Sequence, residues 1–154
     1  MALTMEGEIL LPADRATVWE KINDPEVLRA CIPGCEMLEK TGDDAFKAAV
    51  KLKVGPVSAT FKGAVTLTEI DAPNSYLISG EGEGGIAGFA KGGARVRLAD
   101  APEGGTTLAY TVEANVGGKI AQLGARMINS VAKKTADQFF ANLAANIGGV
   151  VVEA

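Results

Sequence analysis

The last third of the chain reads as one long amphipathic helix, and it follows an unbroken run of strands. From Lys119 to about Ile147 apolar residues recur at helical spacing: Ile120, Leu123, Met127, Val131, Phe139, Leu143 and Ile147. At about 1.5 Å per residue such a helix spans about 45 Å. A compact domain of this length has a radius of gyration of about 15 Å. The helix therefore crosses the whole molecule, and the strands before it have to wrap around it. A meander wrapped on one spanning helix makes a grip, and grips tend to be hollow.

Residues 3–11 alternate, with Leu3, Met5, Gly7, Ile9 and Leu11 on one face and Thr4, Glu6 and Glu8 on the other. Pro12 ends this strand. Asp14 caps a short helix carrying Val18, Trp19 and Ile22, and Asp24-Pro25 starts a second one reaching about Ala30. After the Ile32-Pro33-Gly34 turn, strands are expected at 36–41, 45–54, 57–70, 75–82, 94–99 and 106–116. Gly55-Pro56, Pro73-Asn74, a glycine-rich stretch over 80–93 and Glu103-Gly104-Gly105 separate them. Each strand has one apolar and one polar face, as in an antiparallel sheet covered on one side. Gly117-Gly118 ends the last strand, and Gly148-Gly149 closes the helix. The expected architecture is α+β: a curved antiparallel sheet wrapped around a long C-terminal helix, with two short helices after the first strand. One domain is expected over 1–148, followed by a short tail at 149–154.

Hydrophobic residues make up 47% of the chain but aromatics only 5%, so small side chains and 19 glycines carry much of the interior. Ala48, Ala59, Gly63, Ala94, Ala114 and Gly124 all fall on inward positions. A curved sheet lined by such residues cannot collapse fully onto a straight helix. The gap would be apolar, with tyrosine hydroxyls to orient a ligand, as small-molecule pockets usually are. Its expected lining is Phe46, Phe61, Val65, Tyr76 and Tyr110 from the strands and Leu123, Met127 and Val131 from the helix. The entrance is expected between the Ile32-Pro33 turn and the loop whose apolar tips are Ile86 and Phe89. A filled, ordinary core is the alternative for the same pattern.

Other classes of function are disfavoured. The chain has no histidine, which removes the commonest general base, the usual metal ligand and every histidine-activated nucleophile. A net charge of −4 argues against nucleic acid. No window offers 18 uninterrupted apolar residues, and no basic stretch precedes a long apolar one at the N-terminus, so a cytoplasmic protein is expected. Cys31 and Cys35 cannot complete a zinc site in one chain and lack redox-motif spacing, so both are expected to be structural thiols. The glycines of Gly80-Glu81-Gly82-Glu83-Gly84-Gly85 precede a strand, not a helix, which excludes a dinucleotide loop, and they are expected to serve a sharply bent strand pair flanking the cavity mouth. Gly118-Lys119 lacks the Ser or Thr of a phosphate-binding loop. Arg126, Lys133 and Lys134 read as a solvated helix face. Only Glu69 or Glu81 would offer an inward carboxylate for acid–base catalysis.

Three segments in order resemble one family: Cys31-Ile-Pro-Gly-Cys-Glu36, Gly55-Pro-Val-Ser-Ala-Thr-Phe-Lys-Gly63 and Gly84-Gly-Ile-Ala-Gly-Phe-Ala-Lys-Gly-Gly93. The family is that of the carbon monoxide dehydrogenase G-subunit (CoxG), within the START-like superfamily of helix-grip folds, and the resemblance runs over essentially residues 1–147. It implies a non-catalytic accessory protein encoded beside a molybdenum-containing carbon monoxide dehydrogenase or a related molybdenum hydroxylase. Members are implicated in recruiting that enzyme to the membrane, and a quinone-binding role has been proposed for the grip. The implied ligand is a prenylquinone or similar lipid, its head group bonded by Tyr76 or Tyr110. No covalent cofactor and no metal are expected. The implied partners are the hydroxylase and, peripherally, the inner face of the membrane. Longer members carry a C-terminal extension toward the membrane; this chain ends at Ala154, so anchoring by the chain alone is not expected. An assembly factor with a filled core, or a START-like cyclase or hydrolase, are the rival expectations.

Overall fold

The computed structural model describes residues 1–147 and the backbone of 152–153. The elements run β1 (Ala2–Leu11), α1 (Arg15–Ile22), α2 (Pro25–Cys31), β2 (Cys35–Gly42), β3 (Ala45–Val54), β4 (Val57–Asp71), β5 (Ser75–Glu83), β6 (Phe89–Asp100), β7 (Thr106–Gly117), α3 (Ala125–Ile147) and β8 (Val152–Glu153). The strands form one antiparallel sheet in the order β2-β3-β4-β5-β6-β7-β1-β8. This is the expected curled sheet with two short helices after the first strand and a long helix at its end. The expected Gly148-Gly149 helix stop and the domain boundary at 148 lie outside the described residues.

Local chemistry accounts for the short helices. The Asp14 carboxylate accepts the Thr17 N–H at 2.8 Å and caps α1. Hydrogen bonding from the Thr17 side chain, and next from that N–H, favours the ionised form and lowers the carboxyl's pKa. Asp24 accepts the Glu26 N–H at 2.9 Å, and Pro25 follows as the first residue of α2. Val18 and Ile22 of α1 and Val27 and Cys31 of α2 face inward and are buried. The Asn142 side-chain amide donates to the Cys31 carbonyl at 2.9 Å, tying the end of α2 to α3.

Two expectations are corrected. The long helix does not begin at Lys119: Lys119–Leu123 is a 3-10 turn, and Gly124 follows with φ +92. That left-handed conformation suits glycine and breaks the helical path. The 23 residues of α3 span about 34 Å. The glycine-rich stretch 80–93 does form the expected bent strand pair, but β6 starts at Phe89 and not at 94. The stretch is the end of β5 and the start of β6, joined by a single 3-10 turn at Gly85–Ala87. Gly80 pairs with Gly92 and Gly82 with Ala90, so the glycines sit inside the ladder.

Cross-strand register aligns these glycines across the concave face. One row runs Phe46–Val65–Gly80–Gly92–Ala114–Leu3, and the next runs Ala48–Gly63–Gly82–Ala90–Val116. A methyl group at Gly63 would collide with the Glu81 carbonyl, and one at Gly92 with the Glu113 carbonyl. The sheet therefore bends so tightly here that neighbouring backbone occupies the place of a side chain. At Gly82 the nearest atom would stand 3.7 Å away, an ordinary contact. Gly63→Ala should lose about 2 kcal/mol or more of stability, whereas Gly82→Ala should stay within about 0.5 kcal/mol of wild type. Denaturant unfolding of the two variants checks this; equal effects would mean that curvature does not select the glycine.

Candidate functional site

The interior has two packed regions and a loose middle. At one end Ile9, Leu11, Val18, Ile22, Val27, Cys31, Tyr76, Val96, Leu98 and Leu108 meet Phe140, Leu143 and Ala144 of α3. At the other, Val54, Ala87, Val116 and Ile120 meet Ile128. Between them lie the glycine and alanine rows. Gly63, Gly80, Gly82, Gly92, Ala48, Ala90, Ala94 and Ala114 are all only half-buried, and so are Val65, Val112 and Met5 beside them. Between Ile128 and Phe140, both buried, α3 is also small: Ala132 and Thr135 are half-buried, Val131 packs on the second region and Ala136 on the first. Small, half-buried residues thus lie on both the sheet and the helix between the two packed regions.

Of the expected lining residues, Phe46 and Val65 face each other across β3 and β4 at the edge of this band. Phe61 is half-buried, and its ring lies where a side chain on Gly84 would be. Leu123 and Val131 pack on the Val54–Ile128 region. Tyr76 and Tyr110 share a sheet row on either side of Val96. The Tyr110 ring stacks on Phe140 at 5.3 Å, and its hydroxyl end covers Gly7. Tyr76 is 4% exposed and meets the Trp19 ring edge-on at 5.1 Å.

Tyr76 is the polar group best placed for a ligand. Among the described residues its hydroxyl makes no hydrogen bond. Yet no sealed side-chain polar atom among them lacks a partner, so this hydroxyl keeps an opening to solvent-sized space. Burial raises its pKa well above the usual phenol range, so it remains a neutral donor. Thr106, buried too, is satisfied by donating to the Ala13 carbonyl at 2.7 Å.

Other expected residues fall elsewhere. Phe89 lies on the outer face of β6, opposite to Ala90, with its ring on Gly117, and does not line the interior. Strand alternation puts it there, because β6 starts at residue 89 itself and not at 94. Met127 is 38% exposed at the rim, its sulfur beside Gly55. The break at Gly124 turns α3 so that Ile128, not Met127, faces in. Ile32 and Pro33 are half-buried in a turn held to β3 by the Lys51 N–H, which donates to the Gly34 carbonyl at 2.8 Å. Glu69 is exposed and paired with Arg95 at 3.1 Å, and Glu81 faces outward opposite Lys91, so neither carboxylate points into the grip. Cys31 and Cys35 are free, and burial raises both thiol pKa values. What sequence reading missed is Trp19, Ala132, Thr135 and Ala136; small helix residues at spacing four were the available signal for the last three.

Two depressions mark the outer surface. One of about 810 Å³ runs along α3 past Arg126, Ser130, Lys133 and Asp137, and its described walls all come from that one helix. The second, of about 500 Å³, lies between the end of β1 and the β6–β7 turn. Both lie outside the grip. Among the described residues no cluster of acids and cysteines could hold a metal, and no helix is long and apolar enough to cross a membrane.

The model of the carbon monoxide dehydrogenase G-subunit (CoxG) family matches residues 7–148. Among solved structures, a conserved protein from Geobacillus kaustophilus is 35% identical, with a TM-score of 0.88 and coverage of 94% of this chain and 95% of that one. The Zhui aromatase/cyclase from Streptomyces sp. R1128 has a TM-score of 0.69 at 14% identity, covering 97% of this chain and 100% of its own. A START superfamily protein from Mycobacterium smegmatis has a TM-score of 0.69 at 13% identity, with coverage of 95% and 96%. At these identities the last two show a shared START-like fold and nothing more. Comparison with curated proteins gave no match.

Two predictions test the loose middle. Ala132→Leu and Ala114→Leu should each change stability by less than about 1 kcal/mol, because they grow into space; overpacking a filled core would cost about 1–3 kcal/mol. Leu143→Ala, in the packed end, should cost about 2–5 kcal/mol. Thermal unfolding of the three variants separates a gap from a core. The second concerns pH. With the Tyr76 pKa raised in the folded state, the unfolded chain releases this proton first, so stability should fall as pH rises above about 10. Tyr76→Phe should flatten that alkaline decline; an unchanged slope would mean the hydroxyl is not buried.

Proposed function

The chain belongs to the CoxG family of carbon monoxide dehydrogenase, and from that membership we propose that it is a non-catalytic accessory protein of a molybdenum-containing hydroxylase. In this reading the grip holds a hydrophobic ligand, a prenylquinone, and links the enzyme to the membrane quinone pool. The observation that carries the reading is the half-buried band of glycine and alanine between two packed regions, with Ala132 and Thr135 of α3 between the same two regions. An interior that is apolar and unfilled gains by taking up hydrocarbon, at about 0.8 kcal/mol for each CH₂ removed from water. A few prenyl units then compete with the bilayer.

The quinone head needs a donor for its carbonyl oxygens, and the Tyr76 hydroxyl is neutral, apolar-walled and unpaired within the described residues. Glu69 and Glu81 both lie outside the grip, which supports a carrier over a cyclase or hydrolase.

Trp19 makes the reading testable, being the single tryptophan of the chain and in contact with the Tyr76 ring. A quinone seated at Tyr76 should quench Trp19 fluorescence in a saturable titration. Tyr76→Phe should weaken binding by about three- to tenfold, the worth of one hydrogen bond. The double variant Ala132→Leu/Ala114→Leu should abolish it. Equal quenching by wild type and the double variant would remove the grip as the binding site.

A further inference from the structure

At the Tyr76 end of the interior, hydrogen-bond donors stand open while acceptors are in use. The Tyr76 hydroxyl makes no hydrogen bond among the described residues, and burial keeps it protonated. The indole N–H of half-buried Trp19, whose ring stands edge-on to Tyr76 at 5.1 Å, makes none either. An indole only donates. Arg15, one turn before Trp19 on α1, also only donates, and its guanidinium already meets the Asp100 carboxylate at 3.0 Å and the Asn74 side-chain carbonyl.

Acceptors in the same region each hold a donor. The Ala13 carbonyl accepts the Thr106 hydroxyl at 2.7 Å, the Trp19 carbonyl the Asn23 amide at 2.9 Å and the Cys31 carbonyl the Asn142 amide at 2.9 Å. The Asn142 side-chain oxygen in turn accepts the Gln138 amide at 3.0 Å. Tyrosine aside, Thr106 is the only polar or charged residue that is buried among the described residues. Tyr110 lies two strands from Tyr76 and holds its hydroxyl over Gly7, one strand further on.

We propose that this end admits a ligand head that only accepts hydrogen bonds, and therefore takes an oxidised quinone in preference to its quinol. The proposal rests on the carrier reading above and adds which redox form is carried. A quinone oxygen receives the Tyr76 hydrogen and leaves no donor over. Reduction by two electrons and two protons turns each ring oxygen into a hydroxyl, which brings a hydrogen of its own. When Tyr76 donates to that hydroxyl, the ligand's hydrogen has no acceptor; when Tyr76 accepts from it, the Tyr76 hydrogen has none. Either way one donor is buried unpaired, which weakens binding by about tenfold or more. The same count works against lipids that end in an alcohol. Reduction of the ring thus loosens the grip's hold on it and separates loading from release.

Anaerobic titration calorimetry of the full chain with ubiquinone-1, ubiquinol-1 and the dimethyl ether of ubiquinol-1 tests the preference. Wild type should bind the quinone at least about tenfold more tightly than the quinol. The ether is reduced but carries no hydroxyl hydrogen, so it should bind within about threefold of the quinone. A redox titration gives an independent readout: a tenfold preference lowers the two-electron midpoint potential of the bound ring by about 30 mV. Equal affinity for quinone and quinol, or tighter binding of the quinol, would overturn the proposal and leave the carrier reading standing. An ether that binds as weakly as the quinol would overturn it too, because the preference would then not come from the unpaired hydrogen. Wild type that binds none of the three would sink the carrier reading and the redox preference with it.

Discussion

The structure depends on how tightly its sheet has to bend. Seven consecutive strand pairings carry the chain around α3, and in the middle of that arc the strands approach until a Cβ on Gly63 or Gly92 would enter the next strand's backbone. Steric exclusion of this kind is stiff, because a carbonyl of a neighbouring strand cannot rotate away. It keeps Gly63 and Gly92, near the centre of the concave face, without side chains. Where side chains return, at Tyr76, Leu98 and Leu108 on one side and at Val54 and Val116 on the other, the interior packs and closes.

The helix could have compensated with large residues at mid-length, and it does not. Ala132 and Thr135 are the half-buried residues between the packed ends, while Ile128 and Phe140 anchor the helix at each end. The two packed ends therefore hold α3 at a distance set by their own side chains, and the middle stays loose as a consequence. An interior of this shape favours an elongated apolar guest with one polar end. It also separates stability from binding: the ends hold the fold, and the centre is free to be occupied. The aromatic group at the Tyr76 end and the exposed apolar tip at the Ile86 end give the molecule a direction.

Most of the architecture was legible from period and punctuation. Alternation along 45–54, 57–70 and 106–116, the Asp14 and Asp24-Pro25 caps and the apolar stripe of the last helix each correspond to an observed element. The misreadings share one cause, the ambiguity of glycine. Gly92 and Gly93 hid the start of β6, because glycine usually interrupts a strand, yet here it permits the sheet's curvature. Gly124 looked like a small residue on a helix face, yet it takes φ +92 and stops the helix. That error rotated the helical stripe and placed Met127 inside. Phe89 went inward for a related reason, since a strand thought to start at 94 left its orientation open. The pairing of Tyr76 with Trp19 was not legible, because it joins α1 to a strand more than fifty residues away.

A grip that serves as a container for a prenylquinone should carry one out of the cell. Native mass spectrometry of the full chain, purified from a quinone-replete host and followed by lipid extraction, asks this most directly. The account predicts a bound mass that extraction identifies as a prenylquinone. Protein that emerges empty from such a host, and stays empty when prenylquinone is added back, would contradict it.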